Sequence, residues 1–438
     1  VPHHVIDPTH MRVPLDAFGV AIDGLVFLVT AFLTYRGPVY GIAALIVCVP
    51  FDLHRDLGHT TITTSKVALI AAIVALAARR VRLAPLAAPA ARALLLAGAG
   101  VVAATAFSTA HAALKGPAIR ETLKALEYVA LFTVVVLAAR ADPREGPVRY
   151  ALSGTALLVS LLALAQEITG APSGVWFAGY AIPRIAGPLE GPNQLAGYLG
   201  VALAAVTAFL VAERRAPLER VALCLGAAAL VLTISRAGAA GTSLAVALVA
   251  AVSPGRRRGT VLLTAAAGAA AGLLLLAAWG YSATHSTAGF HLVSRFSSFA
   301  EVPHPGTIGD RSQLWRAALV LWRRHPLFGV GAGNFEFDLA SAGFPGIRTH
   351  ANSLYLQALA EGGPLLLAAT LALVAVSIVR FARGPFREPL VATALGASAG
   401  LAFHQIFDLL VFFPKIGDLW WILLGLGAAR VDAARARP

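Results

Sequence analysis

Residues 193–215 read NQLAGYLGVALAAVTAFLVAERR. Nothing between Asn193 and Ala212 carries a charge, and Glu213, Arg214 and Arg215 follow at once. A helix rising 1.5 Å per residue covers about 30 Å over that stretch, the depth of a bilayer's hydrocarbon core. The spacing predicts a membrane-spanning helix whose C-terminal end stops at basic residues, the usual mark of a cytoplasmic boundary. The same unit recurs along the chain. Further apolar runs occupy 17–35, 38–51, 61–78, 93–110, 121–139, 150–168, 218–234, 237–252, 260–279, 353–379, 390–411 and 416–430. Several are short, so the expected count is 12 or 13, and their Gly, Ala and Ser content suits close helix packing in lipid.

Composition agrees. The 438 residues are 58% hydrophobic and 13% charged, against about 45–50% and about 25% in soluble domains. The net charge of +13 is spread over short clusters between apolar runs, which excludes a nucleic-acid-binding stripe. Cys48 and Cys224 both sit inside apolar runs, so no disulfide framework is expected. The polar start, Val1 to Asp16, reads as no cleavable signal peptide.

The arginines set the expected topology. Arg79/Arg80/Arg82, Arg140/Arg144/Arg149, Arg214/Arg215/Arg220, Arg256/Arg257/Arg258, Arg380/Arg383/Arg387 and Arg430/Arg435/Arg437 are separated pairwise by two apolar runs, so all belong on the cytoplasmic side. The opposite side then holds 52–60, 111–120, 169–192, Ser235-Arg236, 280–352 and 412–418. The expected fold is an all-α integral membrane protein with one long extracytoplasmic loop domain containing amphipathic helices. Its parts are N-terminal transmembrane helices (1–279), the loop domain (280–352) and C-terminal transmembrane helices (353–438), one membrane domain overall. The loop domain carries five of the twelve histidines, His285, His291, His304, His325 and His350. Its aromatic residues, Trp315 and Trp322 among them, argue for ordered structure. Residues 311–324 have helical periodicity with Leu314, Ala318, Leu321 and Trp322 on one face. Such a helix lies in the bilayer interface or packs on the bundle; both roof an outer cavity.

Three constellations on the outer side carry chemistry. In Arg184-Ile-Ala-Gly-Pro-Leu-Glu190-Gly-Pro-Asn193 a Pro/Gly turn leads into a helix for which Asn193 is a candidate N-cap. A guanidinium beside a helix N-terminus binds anions, either a substrate or a lipid phosphate. Thr233-Ile-Ser235-Arg236-Ala-Gly238 interrupts two apolar runs; an arginine there is a functional candidate or a snorkelling residue at a short turn. Arg348-Thr-His350-Ala-Asn352-Ser353-Leu-Tyr355-Leu-Gln357 joins the loop to a helix through to Glu361-Gly-Gly. His350 there either exchanges a proton with substrate or caps the helix. His404 and Asp408 are spaced i, i+4 within the run 390–411, and an acid in that setting wants a cationic partner. The glycines of Pro326-Leu-Phe-Gly-Val-Gly-Ala-Gly-Asn-Phe335 mark a tight turn, since no Lys-Ser/Thr follows as a phosphate loop needs. No metal spacing or H-E-x-x-H occurs, so no metal or other cofactor is expected.

In order along the chain, R-x-x-G-x-x-x-x-P-N-x-x-A at 184–196, Ser-Arg-x-Gly at 235–238, Arg311…Trp315…Pro326-x-x-Gly-x-Gly-x-Gly-x-Phe335 and His350 with Leu-Tyr-Leu-Gln-x-Leu-x-Glu-Gly-Gly resemble the O-antigen ligases and the related O-antigen polymerases. The resemblance covers the chain from about residue 184 onward. It implies a bacterial inner-membrane glycosyltransferase, multi-pass, with its active site facing the periplasm. Such an enzyme takes a glycan from undecaprenyl diphosphate by metal-independent, inverting transfer. Ligases place it on the lipid A–core of lipopolysaccharide; polymerases join it to a second lipid-linked glycan. The implied catalytic residues are His350, Arg184 and Arg236, with Arg311, Asn193, Trp315, Asn352, Tyr355 and Asp408 binding substrate. One departure stands out: members often carry His-x-His-Asn/Ser, and here the second histidine's place is Asn352. Expected partners are the two lipid-borne substrates and membrane lipids, with no nucleic acid. A transporter or flippase would instead show charged mid-membrane positions in internal repeats, and none is visible.

Overall fold

The computed structural model of the chain describes residues 17–57, 60–169, 173–177, 180–213, 215–255, 257–284 and 311–436. Every one of the thirteen apolar runs forms a helix. Ten precede the long loop: α1 (Ala17–Arg36), α2 (Pro38–Cys48), α3 (Thr64–Ala78), α4 (Pro89–His111), α5 (Lys115–Ala141), α6 (Gly146–Thr169), α7 (Pro192–Ala212), α8 (Pro217–Leu232), α9 (Arg236–Val252) and α10 (Arg258–Thr284). Two helices of the loop region follow, α11 (Arg311–Arg324) and the single turn α12 (Phe335–Asp338), then α13 (Leu354–Ala382), α14 (Pro389–His404) and α15 (Pro414–Arg435). Among the described residues seven helices are long and apolar enough to cross a membrane unaided, and the protein is a multi-pass, all-helical membrane protein. Helices α2, α3, α9 and α14 are apolar but shorter. Helix α7 is buried over almost its whole length, as are α14 and most of α15. Where α9 crosses α14, a Cβ on Gly241 would stand 2.7 Å from the Gly400 carbonyl, so only glycine lets the two backbones approach.

Antiparallel alternation gathers the arginine clusters at one end. There Arg149 donates from Nε to Glu219 Oε1 at 2.7 Å and pairs with Glu213 at 3.3 Å. Arg257 donates to the Glu213 carbonyl, and Arg430 to the Pro143 carbonyl at 2.7 Å. Asp432 caps α4 by accepting the N–H groups of Ala90 and Ala91, each at 2.9 Å. Arg214, Arg256 and Arg437 of those clusters lie outside the described residues.

The other end, the loop end, carries two antiparallel hairpins. Strand β1 (His54–Leu57) pairs with β2 (Thr60–Thr63), and β3 (Ser173–Phe177) with β4 (Tyr180–Arg184), placing Ser173 opposite Arg184. Helix α10 extends to Thr284, past the expected start of the loop domain at 280. The rest of the first half of that domain, 285–310 with His285, His291 and His304, lies outside the described residues. Helix α11 settles the alternative left open above: Leu314, Ala317, Ala318 and Leu321 are buried against Val330, Phe335, Leu339, Ala351 and Ala360. Its apolar face packs on protein rather than lipid.

Helix α13 breaks one-third of the way along. Gly363 has φ +63°, and Pro364 follows inside the helix. Proline has no N–H, so the carbonyl four residues earlier, that of Ala360, has no helical partner. The glycine-rich turn supplies the missing donors: Val330 N–H reaches the Ala360 carbonyl and Gly331 N–H the Glu361 carbonyl, both at 2.9 Å. Gly329, Gly331 and Gly333 all have positive φ, the conformation glycine adopts at little cost. The expected tight turn is therefore there, plugging a helix break.

Candidate active site

At the loop end the sequence motifs come together in two neighbouring chambers. The first is built around Arg184, the last residue of β4. Its Nε donates to the Thr233 carbonyl at 2.7 Å and its Nη2 to Asn193 Oδ1 at 2.9 Å. The turn after it is fixed from outside. Gln166 Oε1 accepts the N–H groups of Ala186 and Gly187 at 2.9 Å, and Lys415 Nζ donates to the Pro188 carbonyl at 2.8 Å while facing Glu190 at 3.5 Å. Asn193 is not the N-cap expected for it: Gly191 holds that place with Pro192 next, and proline suits the first helical position because its missing N–H is one no helix uses. Asn193 stands in the first turn, and its amide serves Arg184 instead.

Arg236 opens α9. Ser235 caps that helix, its hydroxyl accepting the Gly238 N–H at 3.3 Å. Gly238 faces the His404 ring, whose Cε1 would be 3.2 Å from a Cβ there. His404 ends α14, so Asp408 lies in the turn beyond the helix and the expected i, i+4 pair on one helix does not form. Both are buried, and His404 Nε2 and Asp408 Oδ2 have no hydrogen-bond partner among the described residues. Burial pushes the Asp408 carboxyl up, opposed by the Leu409 N–H and by Arg311, Asn193 and Arg184 around it. This chamber thus gathers Arg184, Asn193, Arg311 and Asp408 with Arg236 two residues from its wall. Trp315 rims it, 6.2 Å from the Phe407 ring, with its indole N–H directed to the Asn352 carbonyl at 3.4 Å.

His350 is elsewhere. It faces a second cavity of about 260 Å³, whose walls include Arg120, Glu121, Glu336, Gln357 and Phe412 and none of the three arginines above. Its ring lies 4.2 Å from that of Phe412. Burial, helped by the Lys124 ammonium, lowers its pKa to about 4, so the imidazole is neutral at ordinary pH. Lys124 sits 4.0 Å over the Phe412 ring and pairs with Glu121 at 2.8 Å. Between the chambers runs a wall where the Leu354 N–H is shared by the Gln405 and Asp408 carbonyls, both at 3.0 Å. Asn352, with φ +48°, stands on that wall two residues from His350. Tyr355 is turned away to the Ala402 carbonyl at 2.9 Å, and so belongs to the helix packing. Gln357 accepts the Ala351 N–H at 2.8 Å and donates to Glu361 at 2.7 Å, tying the His350 strand to α13.

Gln166, Lys415, Lys124 and Glu121 were not expected at the site. A signal for two of them exists: the chain has four lysines, Lys66, Lys115, Lys124 and Lys415, and none falls in an arginine cluster.

The fold and these clusters define a polytopic membrane protein with a group of cationic side chains at one end of its bundle. Residues 221–371 match the family model described as O-Antigen ligase, so that segment is similar to the O-antigen ligases. The matched segment holds Arg236, α11, the glycine turn, His350 and Glu361, whereas Arg184, Asn193 and Asp408 lie outside it. No curated protein matches the chain.

Proposed function

We propose that the protein is an O-antigen ligase-type glycosyltransferase of the bacterial inner membrane, working on its periplasmic face. The observation that carries this reading is the gathering of Arg184, Arg311 and Asn193 around Asp408, beside Arg236. The Arg184 and Arg311 guanidiniums around one carboxylate, with Arg236 opening the neighbouring α9, suit a diphosphate, the leaving group of an undecaprenyl-diphosphate-linked glycan. In the step, the acceptor oxygen attacks the anomeric carbon from the face opposite the diphosphate. The carbon–oxygen bond to phosphate breaks, its electron pair stays on the diphosphate, and the arginines stabilise the growing charge. The acceptor's proton leaves to His350, the neutral base on the acceptor side, and the configuration inverts. Trp315 and Asn352 border the donor, and no metal is called on because the guanidiniums neutralise the leaving group.

The positive-inside pattern supports the orientation, with the arginine end in the cytoplasm. The test is direct: purified protein in detergent receives a lipid-linked glycan together with lipid A–core. Glycosylated lipid A–core supports the ligase. A lengthened lipid-linked chain reassigns the protein as a polymerase, and no transfer to either acceptor overturns the reading.

A further inference from the structure

Beneath the His350 cavity a second space of about 140 Å³ descends between α4, α5, α13 and α15. The two share Glu121, Gln357, Glu361 and Phe412 as walls, so they adjoin, and the pair is called the cleft below. Its upper part is polar. Its lower part is lined by Val101, Ala125, Leu366, Leu373 and Trp421. The hydroxyls of Thr105 and Thr370 there are turned to carbonyls of their own helices. From Leu366 to Val374, beyond the break, the cleft follows nine residues of α13, about 12 Å at 1.5 Å per residue. Apolar cavities near 150 Å³ stay dry and take up hydrocarbon in other proteins.

The mouth differs from the arginine chamber in charge. Arg120 and Lys124 face Glu121, Glu336 and Glu361 there, and Lys124 is already paired with Glu121. The cations there are matched by carboxylates, so no excess positive charge is left to hold a diphosphate. Carboxylates, an amide and an imidazole are instead good partners for sugar hydroxyls. Charge therefore sorts the two chambers: the arginine chamber takes the anion, and the cleft takes an uncharged glycan on a hydrocarbon anchor.

We propose that this cleft is the acceptor site: a hydrocarbon chain of the acceptor lipid lies between α4, α5, α13 and α15, and its glycan meets Glu121, Gln357 and His350 at the mouth. This rests on the glycan-transfer reading above and adds where the acceptor enters. The donor's lipid is excluded, because its diphosphate finds no excess positive charge at this mouth.

The experiment uses the full-length protein in detergent. Ala358→Trp and Val101→Phe each fill the cleft from a different helix. Steady-state transfer is followed against the lipid-anchored acceptor, against the same glycan freed of its lipid, and against the donor. Displacing two or three methylenes from the cleft raises KM for the anchored acceptor about tenfold to a hundredfold. KM for the free glycan and for the donor stay as in the wild type. A rise in the donor's KM instead, or no change in any, overturns the assignment. If neither variant folds, the wild type decides: an acceptor lipid with a diazirine at its chain end is photolysed and the adduct mapped. Label on a wall of the cleft, such as Val101, Ala125, Leu366, Leu373 or Trp421, supports the site, and label elsewhere overturns it. Wild-type protein that transfers glycan while labelling elsewhere sinks only this proposal; wild-type protein that transfers none sinks the functional reading.

Discussion

Replacing Arg184 by lysine keeps the charge and removes the fork. In the wild type, two of the five guanidinium N–H donors go to the Thr233 carbonyl and Asn193 Oδ1, at 2.7 and 2.9 Å. These two bonds aim the group at the chamber. A lysine ammonium is a single point and cannot hold both partners while also contacting a phosphate in two places. At least one charge-assisted bond is lost in the transition state, about 1.5–3 kcal/mol. At 1.36 kcal/mol per decade that is a fall of about tenfold to 150-fold in kcat. Alanine removes the charge as well, and the loss of a whole oxyanion-type partner costs about 10²–10³-fold. Asn193→Ala leaves the cation but loosens it, so it falls between wild type and lysine. The assay is initial-rate transfer from a lipid-linked glycan in detergent, with the unfolding midpoint of each variant measured in parallel. Arg184→Lys with wild-type kcat and an unchanged midpoint refutes the clamp.

His350 gives a pH signature. Its folded pKa, about 4, lies below the ordinary value near 6.5, so between those values the unfolded chain binds a proton that the native protein does not. Stability therefore falls as pH drops from about 6.5 to 4 and levels off below, by up to about 3 kcal/mol. Thermal unfolding across that range in wild type and His350→Gln checks it, and equal pH slopes count against it. Glu219 is fully buried and holds Arg149, so Glu219→Ala removes the shorter of that arginine's two ion pairs, leaving Glu213, and costs about 1.5–3 kcal/mol, read as a lowered unfolding midpoint. Gly329 has φ +65° and faces the Ala360–Glu361 backbone; Gly329→Ala destabilises by more than about 1 kcal/mol, and a midpoint equal to wild type contradicts the plugged break. For orientation, Gln313→Cys should react with an impermeant thiol reagent in intact spheroplasts and Arg383→Cys should not; the reverse pattern inverts the topology.

Apolar length made the helices legible, because twenty uncharged residues have few other homes. It failed at 390–411, where Gln405-Ile-Phe-Asp408-Leu-Leu-Val reads as a continuation. The helix stops at His404 because the Gln405 and Asp408 carbonyls turn to the Leu354 N–H, a long-range contact with no local trace. Pro192 was a readable signal that the α7 cap lay before Asn193. The apolar face of α11 could not be assigned to lipid or protein from its period, since both solvents want the same residues. The sequence asked for a cationic partner for Asp408, and Arg311 and Arg184 stand around it. It also suggested that His350 would join them, and spacing along the chain does not say which side of a wall a side chain faces.

That wall bears on how the chain can do without a histidine at 352. The amide of Asn352 cannot take a proton at neutral pH, and His350 is a weak base. On the proposed reading neither fact is prohibitive. The diphosphate leaves early once three guanidiniums neutralise it, so positive charge builds on the sugar before the acceptor's O–H bond yields. As the new carbon–oxygen bond forms, the acceptor oxygen becomes cationic and its proton strongly acidic. A weakly basic imidazole then suffices to receive it, and matching basicity to the operating pH matters less than it does for an unactivated alcohol. The burden therefore shifts to the arginines. His350→Ala should lower kcat less than Arg184→Ala does, and the difference should persist from about pH 6 to pH 8, where His350 in the wild type stays unprotonated. A larger loss in His350→Ala than in Arg184→Ala would mean that proton removal, not departure of the diphosphate, limits the rate.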